Sequence, residues 1–278
     1  MRNSGILAGT TALVTGGGKG IGRETARELG KLGAAIYICG RDKASLESAA
    51  ASFAAEGIRA QWFTADVRDP AACKALVDAV LAKASRLDIL VNNAGMSMRG
   101  TLEETDPTVM AAMAEINFLG PAYMTKYSIP ALRKSGGSVV FVSSLTALHG
   151  LPHVGVYGAS KIALRVLAES LRIELAGSGV HVGIVHVGFT ENDPDKVVYA
   201  QDGSLSSIGE RKNSQTQAQV ARRIVNLILR RRREATLTAL GKLAAFIYRF
   251  FPGAADRLLG RYVKESGQFG QMNRGKRQ

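Results

Sequence analysis

Short apolar runs alternate along the chain with segments whose apolar residues recur at helical spacing. Thr11–Thr15 reads as a strand, and Ile21–Leu32 as a helix closed by Gly33. Ala35–Cys39 is a second strand, followed by a helix over Asp42–Glu56 with Asp42 as its N-cap. Ala60–Ala65 and Leu87–Asn92 read as the third and fourth strands, with a helix over Ala71–Ala84 between them. A long helix starts at Asp106-Pro107, a capping residue followed by proline at the first helical position. Ser138–Ser143, Tyr157–Ala176 and Val180–Val187 read as strand, helix and strand. Asn192–Ser214 is polar, breaks the pattern, and is expected to form a mobile lid. Thr216 and Gln219 form a capping box that opens another helix, and Ala235–Leu240 is the last strand.

Strands separated by helices of about 10 or more residues predict βαβ units and a parallel sheet. Right-handed crossovers make this a single-domain, Rossmann-like α/β fold: a doubly wound parallel sheet with helices on both faces. The catalytic domain is expected to span residues 1–240, with an extension over 241–278.

Charge changes that picture at one end only. The net charge is +13. From Arg222 to Gln278 there are 14 Lys/Arg against 3 Asp/Glu, while the preceding residues hold 22 against 20. A near-neutral domain therefore carries a basic C-terminal region. The two cysteines, Cys39 and Cys73, fit no zinc or redox spacing, which points to a reducing, cytoplasmic compartment; no metal site is expected. Met1–Thr10 lacks the apolar run of a signal peptide, and no run of about 18 apolar residues predicts a membrane span.

Three segments carry candidate chemistry. The first strand runs into Thr15-Gly16-Gly17-Gly18-Lys19-Gly20-Ile21-Gly22. Glycines here let the backbone approach a pyrophosphate, and the following helix turns its free N–H groups towards it. The second strand ends in Cys39-Gly40-Arg41-Asp42. Arg41 and Lys19 favour a 2′-phosphate, hence NADP(H), and Gly40 supplies no carboxylate for a ribose hydroxyl. Asp42 is the counter-argument, although a helix cap also explains it. Asp66-Val67, at the end of the third strand, could hold an adenine, and Asn92-Asn93-Ala94-Gly95 lies where the fourth strand meets the crevice. The third segment is Tyr157-Gly158-Ala159-Ser160-Lys161. Tyr157 and Lys161 share a helix face, and an ammonium there favours the phenolate and makes the tyrosine a usable acid–base. Ser144 ends the fifth strand, where its hydroxyl can meet a substrate oxygen.

In this order, the motifs resemble those of the classical short-chain dehydrogenase/reductase family over about Gly9 to Leu240. The resemblance implies a catalytic tetrad of Asn117, Ser144, Tyr157 and Lys161. Tyr157 would be the acid–base and Ser144 would orient the carbonyl. Lys161 would lower the tyrosine pKa and bind the nicotinamide ribose, and Asn117 would hold a water linking Lys161 to solvent. The implied cofactor contacts are Gly16, Gly18, Lys19, Gly20, Ile21, Gly22, Arg41, Asp66, Val67, Asn93, Ala94, Gly95, Tyr157, Lys161, Gly188 and Thr190. The sequence departs from the family's usual Pro-Gly after the sixth strand. It has Val187-Gly188-Phe189-Thr190, which leaves Thr190 and Asn192 both open as the nicotinamide contact. The C-terminal ending resembles membrane-associated and steroid- or lipid-carbonyl-reducing members. The resemblance also implies a homodimer or homotetramer.

The function expected is NADP(H)-dependent interconversion of a ketone and a secondary alcohol on a lipophilic small molecule. Its binding residues would be Ser144, His149, Leu151, His153, Tyr157 and Phe189. The non-enzyme alternative is an NADP(H)-binding sensor or scaffold. A nucleic-acid partner is not expected, because the tail places few aromatics for base stacking. In that tail, Leu240, Leu243, Ala244, Phe246, Ile247, Phe250 and Phe251 share a broad helical face opposite Lys242 and Arg249. Past Pro252-Gly253, Leu258, Leu259, Tyr262 and Val263 oppose Arg257, Arg261 and Lys264. These segments either dock peripherally on an anionic membrane surface or pack on the fold.

Overall fold

The computed structural model describes residues 5–208 and 214–266. The chain runs β1 (Thr11–Thr15), α1 (Gly20–Lys31), β2 (Ala35–Gly40), α2 (Lys43–Ala55), β3 (Ala60–Thr64), α3 (Pro70–Ala84), β4 (Ile89–Asn92) and a short β5 (Met98–Arg99). Next come α4 (Pro107–Ala114), α5 (Gly120–Ser135), β6 (Ser138–Ser144), α6 (Gly155–Glu174), β7 (His181–Val187), β8 (Val197–Ala200) and β9 (Leu205–Ser207). The chain closes with α7 (Gln217–Leu229), β10 (Glu234–Thr236), α8 (Ala239–Phe250) and α9 (Pro252–Ser266).

Seven parallel strands form one sheet in the order β10-β7-β6-β4-β1-β2-β3. Both of its faces are covered, so the middles of its central strands are largely apolar and neighbouring residues serve opposite cores. Val14, Ile36 and Ile38 pack with Leu29 of α1, Phe53 of α2 and Ile224 of α7. Leu13, Leu90 and Phe141 pack with Val77 of α3, Met124 of α5 and Leu164 of α6. Strand order reverses between β1 and β4, which opens a crevice at their C-terminal ends. Cys39 and Cys73 are free thiols in the second core; burial pushes both up to about 12.

The helix starts follow the capping residues read in the sequence. The Asp42 carboxylate accepts from Ser45 N–H, Asp106 accepts from Thr108 N–H at 2.7 Å, and both bonds of the Thr216–Gln219 capping box are present.

Three features differ from the sequence reading. The long helix from Pro107 is not continuous: a π-helical turn at Glu115–Leu119 joins α4 to α5. The polar Asn192–Ser214 stretch contains β8 and β9, which extend β5 into a second, three-stranded sheet. Two-residue β5 pairs with a strand about a hundred residues away, which no local periodicity reveals. Residues 209–213 of that stretch lie outside the described residues. The last strand stops at Thr236, and Thr238 instead caps α8 by accepting from Gly241 N–H at 2.9 Å.

Helices α8 and α9 break at Phe251–Pro252. No described helix is long and apolar enough to cross a membrane. Residues 267–278, and the side chains of Leu240, Ala244, Tyr262, Val263 and Lys264 that the sequence assigned to helix faces, lie outside the description.

Candidate active site

The crevice is built by a tie between β1 and β4. The Thr15 hydroxyl oxygen accepts from the backbone N–H groups of Asn93 and Ala94, each at 3.0 Å. The Asn93 side-chain amide donates to the carbonyls of Thr15 at 2.9 Å and Gly16 at 3.2 Å. The glycine loop that follows is closely fitted. Gly16 has a left-handed φ of 64°. A Cβ on Gly22 would lie 2.2 Å from the Gly16 carbonyl oxygen, so only glycine lets α1 start this close to the loop. No side chain caps α1, which leaves its first N–H groups for an anion. These features fit a dinucleotide pyrophosphate.

The cations around the loop have acidic neighbours. The Lys19 ammonium pairs with Asp195 and lies 3.3 Å from Asp42; Asp195 is the chief reason its pKa is raised. Asp193 lies beside Gly20, so the start of the 192–208 segment covers the glycine loop. Arg41 is exposed at the end of β2. Asp66, expected at an adenine, forms a two-point ion pair with Arg68, with contacts of 2.6 and 2.9 Å. Burial pushes the Asp66 carboxyl up, but the Arg68 hydrogen bonds outweigh it and hold the group below its ordinary value. Val67 packs under Gly120 at the start of α5.

The other end of the crevice converges on Lys161. Asn117 sits in the π turn, fully buried; its amide donates to the Met96 carbonyl at 2.8 Å and to the Ser160 hydroxyl at 3.1 Å, while its Oδ1 accepts from Met96 N–H. Such single π turns concentrate at functional positions in helices. A Cβ on Gly95 would lie 2.9 Å from Asn117 Oδ1 and 3.0 Å from Lys161 Nζ, so these three residues meet at one point. The Lys161 ammonium donates to the Val142 carbonyl at 3.1 Å, and the Ser143 hydroxyl donates to the Lys161 carbonyl at 3.1 Å. These two bonds fix α6 to the end of β6. Burial lowers the Lys161 pKa to about 8.

Tyr157 lies one turn before Lys161, half-buried, and packs with Met96 and Tyr199 on the Met98–Val109–Met113 cluster. Ser144 ends β6, and its hydroxyl accepts from Thr146 N–H at 3.2 Å. The short turn at Leu145–Ala147 rests on α6, with the Thr146 carbonyl against Gly158. Ser144 is thereby held at the first turn of the helix that carries Tyr157.

The expected substrate residues take different places. His149 stacks face to face on Tyr248 of α8. His153 has a left-handed φ of 62°, an uncommon state for a residue with a Cβ, and its carbonyl accepts from Gly100 N–H at 3.0 Å. Leu151 is half-buried and Phe189 is exposed. Gly188 ends against Thr238 and Leu145, and the Thr190 hydroxyl donates to the Gly188 carbonyl at 3.2 Å. Asp195 and Tyr199 fall within the Phe189–Tyr199 stretch that the sequence offers as pocket lining, without a role of their own, and Tyr248 was not singled out. Their neighbours lie far away in the chain, so no spacing marks them.

A family model for the short chain dehydrogenases matches residues 10–202. The chain belongs to this family. Short-chain dehydrogenases use a nicotinamide dinucleotide, so this is a nicotinamide-dependent oxidoreductase. The dehydrogenase/reductase SDR family member 7B of Bos taurus is 29% identical over 269 residues, spanning 93% of this chain and 83% of that protein. The 11-beta-hydroxysteroid dehydrogenase 1A of Arabidopsis thaliana is 39% identical over 190 residues, 67% of this chain and 54% of that protein. Among solved structures, the citronellol catabolism dehydrogenase of Pseudomonas aeruginosa superposes with a TM-score of 0.75 at 26% identity, covering 87% of this chain and 98% of that one.

The ammonium at the heart of this short-chain dehydrogenase fold is a stability cost. Between about pH 8 and 10.5 the unfolded chain binds more protons at Lys161 than the folded protein does. The burial cost is therefore full below pH 8 and fades as pH rises towards 10.5. Lys161→Met should stabilise the cofactor-free protein at pH 7 by roughly 2–3 kcal/mol, and by much less at pH 10. Denaturant midpoints at both pH values check this; a variant no more stable at pH 7 would disprove the cost.

Proposed function

We propose that this chain is an NADP(H)-dependent oxidoreductase that interconverts a ketone and a secondary alcohol on a lipophilic substrate. The observation that carries the reading is Lys161, a buried ammonium of lowered pKa one helical turn from Tyr157, on a helix bonded to the strand that presents Ser144. When bound, the cofactor supplies or accepts the hydride at the carbonyl carbon. In the reducing direction Tyr157 gives its phenolic proton to the carbonyl oxygen. The Ser144 hydroxyl orients that oxygen. Lys161 stabilises the phenolate left on Tyr157 and holds the nicotinamide ribose. Asn117 anchors Met96 and Ser160 around Lys161 and orders the polar path behind it. Gly16, Gly18, Gly20, Ile21 and Gly22 would take the pyrophosphate, and Asn93, Ala94 and Gly95 would border the ribose and nicotinamide, with Gly188 and Thr190 opposite.

Lys19 and Arg41 support NADP(H), since both stand at the β2 tip where Gly40 offers no carboxylate. Asp42, near Lys19, is committed to capping α2. The hydroxysteroid and citronellol named for two relatives support a lipophilic substrate.

The C-terminal helices support a surface role. Helix α8 leaves Leu243, Phe246 and Phe250 exposed, and Phe251 and Leu258 beyond them, beside exposed Lys242 and Arg249. An unpartnered apolar face rimmed by cations suits an anionic lipid surface. The exposed Ile162, Val166 and Ile173 on α6 suit a contact between copies of the chain in a dimer or tetramer.

Tyr157→Phe should lower ketone reduction at least about 100-fold while NADPH still binds. Residual activity within tenfold of wild type would remove Tyr157 as the acid. A fall of that size also separates turnover from the sensor or scaffold alternative. Arg41→Ala should weaken NADPH about 10- to 100-fold and NADH little, the loss of one charge-assisted bond to phosphate. Titrating both cofactors by fluorescence checks it, and equal losses would mean Arg41 reads no phosphate. Full-length protein should co-sediment with phosphatidylserine vesicles at low salt, and protein lacking residues 241–278 should not. If both stay in the supernatant, the extension has no lipid role.

A further inference from the structure

The connection between Ser144 and Tyr157 is covered by α8. The Leu145 side chain sits at the root of this contact. A Cβ on Gly241 would lie 2.6 Å from it, and one on Gly188 would lie 3.2 Å from it, so the first turn of α8 is wedged against both site strands. The Thr238 cap holds that turn in place. Two helical turns beyond Gly241, Tyr248 lays its ring on His149 with centroids 4.5 Å apart and planes only 9° apart.

That stack is not an apolar packing contact. His149 Nδ1 and the Tyr248 hydroxyl are both shielded from water, and neither has a hydrogen-bond partner among the described residues; the Thr146 hydroxyl nearby is in the same state. Burying polar atoms without partners is costly, and such atoms cluster where a ligand supplies the partner. Phenylalanine at both positions would keep the stack without that cost.

We propose that His149 and Tyr248 form a polar subsite of the substrate pocket, which takes a second oxygen function of a lipophilic ketone or alcohol, remote from the reacting carbon. This rests on the ketone–alcohol reading above. The chemistry of the pair selects the group. Burial favours the neutral imidazole and holds the His149 pKa below its ordinary value, against a smaller opposing effect of the hydrogen bond with the Gly150 backbone. A neutral imidazole and a phenol can each donate or accept one hydrogen bond. Together they satisfy a hydroxyl or a carbonyl. They offer no cation to a carboxylate and no anion to an amine.

The test uses matched ketones with NADPH: dodecanones with and without a terminal hydroxyl, and steroid mono-ketones with and without a hydroxyl on the ring farthest from the ketone. Wild type should favour the oxygen-bearing member of at least one pair about tenfold in kcat/KM, chiefly through KM. Tyr248→Phe and His149→Phe, which retain stacked rings, should each bring that ratio towards one. Melting temperatures of both variants exclude a change of fold as the cause. A wild-type ratio near one in every pair overturns the subsite and leaves the reductase reading standing. A tenfold ratio that survives both substitutions also overturns it. Turnover of no ketone by wild type, with either nicotinamide cofactor, overturns the reductase reading and the subsite with it.

Discussion

A lysine ammonium buried with a carbonyl, and among the described residues no carboxylate, as its partner is the interaction around which this site is built. Nothing local makes that arrangement favourable. Desolvation works against the charge, and one bond to the Val142 carbonyl does not cancel it. The charge stays buried because rigid elements leave it nowhere else to go. Ser143 ties the Lys161 backbone to β6, glycine at position 95 makes room beside the ammonium, and the Asn117 amide closes the space behind it. Each of these would be an odd choice in a chain selected only for stability: a buried asparagine, a π turn in a long helix and a glycine at a strand end. Together they fix one proton-holding group one helical turn from Tyr157.

The crevice around that lysine follows from the order of strands. When the chain turns from building outward through β2 and β3 to building the other way through β4 and β6, the loops after β1 and β4 part. Asn93 and Thr15 bridge the gap with four hydrogen bonds, which limit how far the loops part. Asn93 therefore shapes the glycine loop before it touches any ligand. That is a structural explanation for a residue the sequence marked by its place at a strand end and, through the family resemblance, as a cofactor contact.

The fold was legible because its signals are local. Strands of four to seven residues buried on both faces read as unbroken apolar runs, and Asp42, Asp106 and Thr216 announce their helices by capping. The glycine loop and the Tyr157–Lys161 spacing were legible for the same reason. What stayed hidden depends on distant partners. The π turn at Asn117 answers to Met96 and Ser160, which lie far from it in the chain. Strands β5, β8 and β9 are two to four residues long and exist only by pairing with one another. Lys19, read as a phosphate ligand, has Asp195 as a partner across 176 positions of sequence, and a polar loop gives no sign of that. His153 was read as a substrate-binding residue, yet its backbone is in a left-handed state and its carbonyl is bonded to Gly100 N–H.

The C-terminal extension was read as either lipid-docking or packed on the fold, and α8 shows that these are not alternatives for one helix. Gly241 and Tyr248 are seven residues apart, two helical turns, and so lie on one face, towards Leu145 and His149. Leu243, Phe246 and Phe250 follow the spacing three and four on a different face, and that face is exposed. A helix of 12 residues is stiff over its length, so the two faces cannot move independently. Whatever contacts the outer face bears on the same rigid body that carries Tyr248. A surface contact at Phe246 and the ring over His149 are therefore mechanically one element, joined at Leu145 to the connection between Ser144 and Tyr157.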